Sequence, residues 1–313
     1  MATVLITGAG GFVGRHIAAS HAAHGDRVLL VDRAFDAELV DAWRGRDAAF
    51  FRADAASFGE HVREGVDAIV HAAAVTAHPA EIGLTSEAYL EQEVGTALAA
   101  LSWAEEHQVG RRLLLSSGGV FAGSDAEIFD EETPVHPASH YALAKHLIEQ
   151  VVAASRAIDG RDAVCVRLGD VFGPEERPRG TRPRVSTLQR LLDEARGSGV
   201  VMPTAGAPRR AWSFAPDLGE AVHALVHAER PAHALYHLSS DTLLDECALA
   251  AEIVRVVPGA RVVERPSSSA PARPRGRFVA DRFREEFPMH TWTPFPEALR
   301  RCAAMASAPG ASA

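Results

Sequence analysis

Lysine is almost missing from this chain: Lys145 stands alone among 32 basic side chains, the other 31 being arginine. Cysteine is scarce as well. Cys165, Cys247 and Cys302 are scattered, without the paired spacing of a zinc site and too few for a disulfide framework, so a reducing, cytoplasmic setting and no metal centre are expected. No apolar run approaches the ~18 residues of a membrane span. The first apolar run starts at Thr3, so no secretory leader is expected. Excess positive charge is also lacking. The net charge of −9 argues against a sequence-independent grip on nucleic acid or an anionic membrane, and a small-molecule partner is expected instead. What is present is ordinary for a globular protein: 313 residues, 47% hydrophobic, 25 glycines, enough for one main domain and a lesser lobe.

Six short apolar runs are separated by helix-length stretches: Thr3 to Ile6, Arg27 to Val31, Ala48 to Arg52, Asp67 to His71, Arg112 to Ser116 and Ala163 to Leu168. Their apolar character is continuous rather than alternating, as in parallel strands buried on both faces. The pattern predicts an α/β fold with a doubly wound parallel (Rossmann) sheet over 1–172, with a return around 210–240, and a smaller substrate-capping α/β lobe over 173–313. The first part carries a charge of −12 and the second +3, an asymmetry that suits a cleft for an anionic ligand and that solvated arginines alone could also produce. The tail from Ser307 is expected to be disordered.

Between the first strand and the first helix lies Thr7-Gly8-x-x-Gly11-x-x-Gly14. Glycines there allow a tight turn, close approach of backbone N–H groups to a pyrophosphate and packing of the helix on the strand, while the helix N-terminus adds partial positive charge. Asp32 ends the second strand, where a carboxylate can accept both ribose hydroxyls of NAD and would repel the 2′-phosphate of NADP. Arg33 weakens that preference without reversing it. The competing reading is a glycine turn used only for packing. Asp54, after the third strand, is placed to reach the adenine or to cap a helix.

Tyr141 and Lys145 are four apart in a helical stretch, so both project from one face. An ammonium beside a phenol favours the phenolate and suits it to general acid/base work. Where charge alone is wanted this sequence uses arginine, so the sole lysine points to a need for a compact ammonium, as in bonding a ribose while tuning a phenol. A core tyrosine beside a snorkelling lysine is the alternative.

With TGAGGFVG at Thr7 to Gly14, SSGGVF at Ser116 to Phe121 and YALAK at Tyr141 to Lys145, the chain resembles the extended short-chain dehydrogenase/reductases, the NAD-dependent epimerase/dehydratase family. HAAA at His71, VRLGDVFGP at Val166, RAWSFAPDLGEAV at Arg210 and WTP at Trp292 extend the likeness over most of the chain. The resemblance implies that Phe12, Val13, Ala72 and Ala73 join Gly8, Gly11, Gly14, Asp32, Arg33, Asp54, Tyr141 and Lys145 around NAD. It implies that Ser117 holds the substrate oxygen; period-two alternation at a strand end lets either Ser116 or Ser117, not both, face the cleft. It also implies a homodimer paired through the helices around 86–107 and 138–157; the second carries Leu143, Leu147, Ile148, Val151 and Val152, more than one sheet-facing stripe needs, the alternative being a single wide stripe buried within the monomer.

Dehydratases of this family typically carry an Asp-Glu pair where this chain has Gly118-Gly119, and two-base epimerases usually add a Cys or His there. The expected activity is hydride exchange at one secondary hydroxyl or ketone carbon of a sugar or nucleotide sugar. The alternatives are a dehydrogenase of a free sugar acid or polyol, a non-catalytic NAD sensor and a sugar dehydratase. Arg210 matches an arginine that commonly grips a diphosphate. Arg177 and Arg275, with Arg179, Arg182, Arg184, Arg209, Arg273 and Arg277, offer further forks for phosphate or carboxylate. Asp217 is expected to cap the next helix, since Asp-Leu-Gly-Glu has capping-box spacing. Two departures from the family stand out: Asp170 and Glu93 replace asparagines, and an acid lining the substrate pocket at Asp170 would repel a diphosphate.

Overall fold

The computed structural model describes residues 1–265 and 276–304. Arg273, Arg275 and the tail from Ser307 lie outside the described residues. In chain order, the first half forms β1 (Thr3–Thr7), α1 (Phe12–Ala23), β2 (Arg27–Asp32), α2 (Ala37–Ala42), β3 (Ala48–Arg52), β4 (Ala68–His71), α3 (Ser86–Glu106), β5 (Arg111–Ser117), β6 (Ile128–Phe129), α4 (His140–Asp159) and β7 (Ala163–Leu168). The second half adds β8 (Asp170–Phe172), α5 (Thr187–Gly197), β9 (Val200–Val201), β10 (Arg210–Phe214), α6 (Ala215–His227), β11 (Leu235–Leu238) and β12 (Leu243–Leu244). It closes with α7 (Glu246–Val256), β13 (Arg261–Val262), β14 (Arg277–Phe278), α8 (Asp281–Glu286) and α9 (Phe295–Ala304).

Seven parallel strands form the large sheet in the order β3-β2-β1-β4-β5-β7-β11. The order reverses at β1, the switch point at which doubly wound sheets open a crevice beyond the carboxyl ends of the strands. Central strands are apolar on both faces because helices cover both: Val4, Leu5, Ile6, Val28, Leu29 and Val31 have no exposed surface. Each such side chain contributes about 1.5–3 kcal/mol through removal from water. β3 is half-buried at the edge, in keeping with its alanines and its terminal arginine.

Helices α1 and α6 lie against one another on one face of this sheet, and a Cβ at Gly219 would sit 2.5 Å from the His16 carbonyl. Only glycine permits that approach. On the other face, α3 and α4 pack side by side. Ser139 caps α4 by accepting from the Ala142 N–H at 3.1 Å, and Gly160 ends the helix in the left-handed conformation. Ala144, Ile148 and Val152 face inward, whereas Leu98 on α3 and Leu143 and Leu147 on α4 stay exposed.

A second core gathers Phe172, Leu188, Leu191, Trp212, Phe214, Leu249, Ile253, Phe295 and Leu299 around the small sheet β12-β10-β8. β8 and β10 pair in parallel, Trp212 facing Asp170 in register, which sets the wall of the lobe directly after β7. One expected feature is corrected here. Asp217 lies inside the first turn of α6 rather than at its cap, which is Phe214 with no side-chain bond. Pro216 fixes the helix start, leaving the Asp217 carboxylate to accept from both the N–H and the hydroxyl of Thr293, each at 2.7 Å.

Candidate active site

The crevice at the switch point is lined by Gly8, Gly11, Asp32, Arg33, Asp54, Ala72 and Ala73, together with Val31, Ala53, Ala55, Ala74, Val75, Gln92, Glu93, Thr96 and Thr181. Gly8 has φ +71°, and a Cβ there would lie 2.6 Å from the Ala73 backbone; at Gly14 it would lie 2.1 Å from the Gly8 carbonyl. Backbone thus approaches backbone as closely as a pyrophosphate cradle requires. α1 opens without a side-chain cap and with no acid in its first turn, so its N-terminal N–H groups are oriented toward an anion without a competing carboxylate. Asp32 accepts from the N–H groups of Gly10 at 3.0 Å and Ala34 at 3.2 Å, which anchors its carboxylate at the strand end. Arg15 secures the loop from beneath, donating to the Gly10 carbonyl at 3.1 Å and pairing with Asp36 and Glu175. These residues fit the adenosine diphosphate half of NAD.

The expected cofactor residues divide by role. Phe12 and Gly14 are buried under the loop, and Phe12 lies beneath the Arg182 guanidinium at 5.1 Å. Val13 lines a neighbouring cavity instead of the crevice. Asp54 faces the crevice, accepts from the Ala56 N–H at 2.9 Å and lies 3.9 Å from Arg33. Arg33 therefore meets a carboxylate of the chain itself.

The neighbouring cavity, of about 320 Å³, is lined by Val13, Ser116, Ser117, Tyr141, Leu168, Gly169, Asp170, Arg182, Arg210 and Trp212 among others. It abuts the crevice: Thr181 and Arg182 line one each, as do Gly11 and Val13. Ser117 ends β5, where its Oγ accepts from the Gly119 N–H at 3.1 Å. The adjacent Ser116 points its hydroxyl at Glu149, a buried carboxylate that the Arg167 guanidinium grips through two bonds of 2.8 Å. Both serines reach the cavity lining, but the Ser116 hydroxyl is engaged by the core network.

Tyr141 is half-buried at the cavity wall. Lys145 follows one turn later, 2% exposed, with its Nζ 5.7 Å from the centre of the Tyr141 ring. Its charge reaches two buried groups beside the crevice. Burial, helped by the Lys145 charge, drives the His71 imidazole down to about 3. Burial also pushes the Glu93 carboxyl up, opposed by Lys145 and by the Val75 N–H that bonds it at 3.0 Å. Glu93 is the main lining residue that sequence reasoning left without a role; its place in QEVGT, where the family carries asparagine, was the available signal.

Asp170 and Arg210 both line the cavity and pair at 2.8 Å. The pairing sets a positive charge against the acid, which lessens the repulsion expected toward an anionic substrate. Arg182 joins them, held by Glu176. Arg177 does not: it pairs with Glu38, an exposed acid on α2, at 3.0 Å and lines neither hollow. Gly118 and Gly119 carry no side chain into the site; the space beyond Gly118 is filled by Phe278 at 3.0 Å.

Comparison with known proteins agrees with this geometry. A dTDP-glucose 4,6-dehydratase of Streptomyces niveus is 28% identical over 264 residues, covering 80% of this chain and 76% of its own. A UDP-glucose 4-epimerase of Corynebacterium glutamicum is 28% identical over 174 residues, 54% of this chain and 51% of its own. Among solved structures, the UDP-N-acetylglucosamine 4-epimerase of Methanobrevibacter ruminantium M1 superimposes with a TM-score of 0.82 at 17% identity, covering 96% of this chain and 97% of its own. The Streptomyces venezuelae dTDP-glucose 4,6-dehydratase with NAD bound gives 0.80 at 21% identity, covering 96% and 95%. With residues 4–237 matching its family pattern, the chain belongs to the NAD dependent epimerase/dehydratase family, and NAD is its cofactor.

Proposed function

We propose that the protein is an NAD-dependent oxidoreductase or epimerase acting on one secondary hydroxyl or ketone of a sugar or nucleotide sugar. The observation that carries this reading is that Tyr141 and Ser117 open on one cavity, against the crevice, with Lys145 buried one turn along from the phenol. When bound, NAD supplies hydride acceptance and return. The chain's residues handle the proton: Tyr141 removes it from the substrate hydroxyl or gives it back to the carbonyl oxygen, and Ser117 hydrogen-bonds that oxygen as its charge changes. The Lys145 ammonium, a compact charge buried one turn along from the phenol, would donate to a ribose hydroxyl of the bound cofactor.

A nucleotide-linked substrate is supported by the relatives named for dTDP-glucose and UDP-glucose, and by Arg182 and Arg210 in the cavity wall. One carboxylate occupies only part of the five-donor fork of Arg210. The exposed Leu98, Leu143 and Leu147 on adjacent helices support a homodimer paired through α3 and α4. Dehydration is the second reading, favoured by the Streptomyces niveus relative and opposed by the glycines at 118 and 119.

The test is Tyr141→Phe in the purified enzyme against a panel of sugars and nucleotide sugars. The variant is expected to retain NAD and lose turnover by at least ~100-fold, the scale of general acid/base assistance. Near-normal turnover would refute the assignment. Configuration change with NAD recovered oxidised identifies an epimerase, accumulation of NADH a dehydrogenase, and a product lighter by one water a dehydratase.

A further inference from the structure

Four metal-ligating side chains converge where α1 meets α6, although the sequence reading expects no metal. His223 and His227 stand four residues apart on α6, so both rings leave the same face. His21 comes from the last turn of α1, and Asp26 precedes β2. Asp26 Oδ2 lies 2.8 Å from His21 Nδ1, 2.6 Å from His227 Nε2 and 3.7 Å from His223 Nε2. One ligand atom from each of the four residues falls within 4.8 Å of all the others. The second oxygen of Asp26 accepts from the Ala2 N–H at 2.9 Å, which turns Oδ2 toward the rings. His24 stacks on His223 with ring centres 4.0 Å apart and its Nε2 3.4 Å from Glu220, bracing that ring from outside.

We propose that His21, Asp26, His223 and His227 bind one divalent transition metal ion of the zinc type. Three imidazoles and a carboxylate suit zinc, whereas calcium and magnesium require all-oxygen surroundings. Bonds of ~2.0–2.1 Å in a tetrahedral site place ligand atoms about 3.3 Å apart, between the shortest and longest separations found here. The site is unrelated to the chemistry of the cavity. It lies at the entry of β2, whereas Asp32 lies at its exit, six residues and roughly 20 Å away. Its effect is to fasten α1, whose other end receives the cofactor, to α6 across the junction that Gly219 keeps close. His227 and His223 keep 32% and 17% of their side chains exposed, which gives the ion a route in.

The test uses the full chain stripped with a chelator, titrated with zinc chloride against a chromophoric competitor and followed by thermal unfolding. One zinc per chain is expected, with a raised Tm. His223→Ala and His227→Ala each weaken zinc binding by more than the ~10–100-fold that loss of an outer-shell partner costs, with NAD binding retained. His107→Ala at the C-terminal cap of α3, away from the cluster, leaves zinc affinity unchanged. Cobalt(II) in place of zinc gives the strong visible bands of a four-coordinate ion. Should His223→Ala fold poorly, His227→Gln at the partly exposed position carries the same expectation. Sub-stoichiometric zinc, or affinity untouched by the His227 variants, overturns the proposal.

Discussion

Besides its apolar face, the helix that carries Tyr141 and Lys145 is tied to the sheet by a buried ion pair, and Glu149→Ala measures what that pair adds. The Glu149 carboxylate accepts two 2.8 Å bonds from Arg167 on β7 and the hydroxyl of Ser116 on β5; Arg167 is 4% exposed and Glu149 is likewise 4%. Removing the acid leaves the guanidinium beside His237 at 3.3 Å and over the Phe121 ring at 4.9 Å, neither of which neutralises it. An uncompensated buried charge costs about 3–5 kcal/mol. At about 1.5 °C per kcal/mol for a chain of 313 residues, the expected fall in Tm is roughly 5–8 °C, read by circular dichroism on the NAD-free enzyme. Glu149→Leu combined with Arg167→Leu removes both charges and is expected to recover most of the loss, since apolar replacement of a buried pair is often neutral. A fall below ~2 °C in the single variant, or a double variant no more stable than the single, would show that the pair is not the fastening described.

Acid lability follows from two fully buried imidazoles. Burial holds His71 and His237 at about 3, far below an unfolded histidine near ~6.5, so the unfolded chain binds more protons between those values and stability falls as pH drops. At pH ~5 each costs about 2 kcal/mol, and the midpoint in urea should decline from pH ~6.5 downward, less steeply in His237→Gln. Asp32→Ala removes the like charge facing a 2′-phosphate while Arg33 remains, and the preference for NAD over NADP in a binding titration should narrow by at least ~10-fold. An unchanged ratio would mean that Asp32 does not meet the ribose.

Much of the large sheet was readable from its residues. Runs such as VLI at Val4 and VLLV at Val28 have one outcome when both faces are covered, and they became β1 and β2 within a residue of the expected ends. The glycine spacing was equally legible, because the chemistry of backbone approach admits no other residue at Gly8 or Gly14. β11 carries little strand signal of its own: Leu235–Leu238 is short and holds His237, which becomes tolerable only where the Val279 carbonyl and the Phe278 ring receive the imidazole. The capping spacing at Asp217 misled because Thr293, 76 residues away, takes the carboxylate.

Periodicity and local spacing depend on neighbours along the chain, and so the sequence by itself determined the parallel sheet, the nucleotide loop and the pairing of Tyr141 with the sole lysine. Which acid meets which arginine depends on distance in space. Asp170 reaching Arg210, Glu149 reaching Arg167, Arg177 captured by Glu38, and three histidines from two helices meeting on Asp26 were decided only when the chain closed on itself. A charge carries no label naming its partner, and only tertiary packing brings the two within a few ångströms.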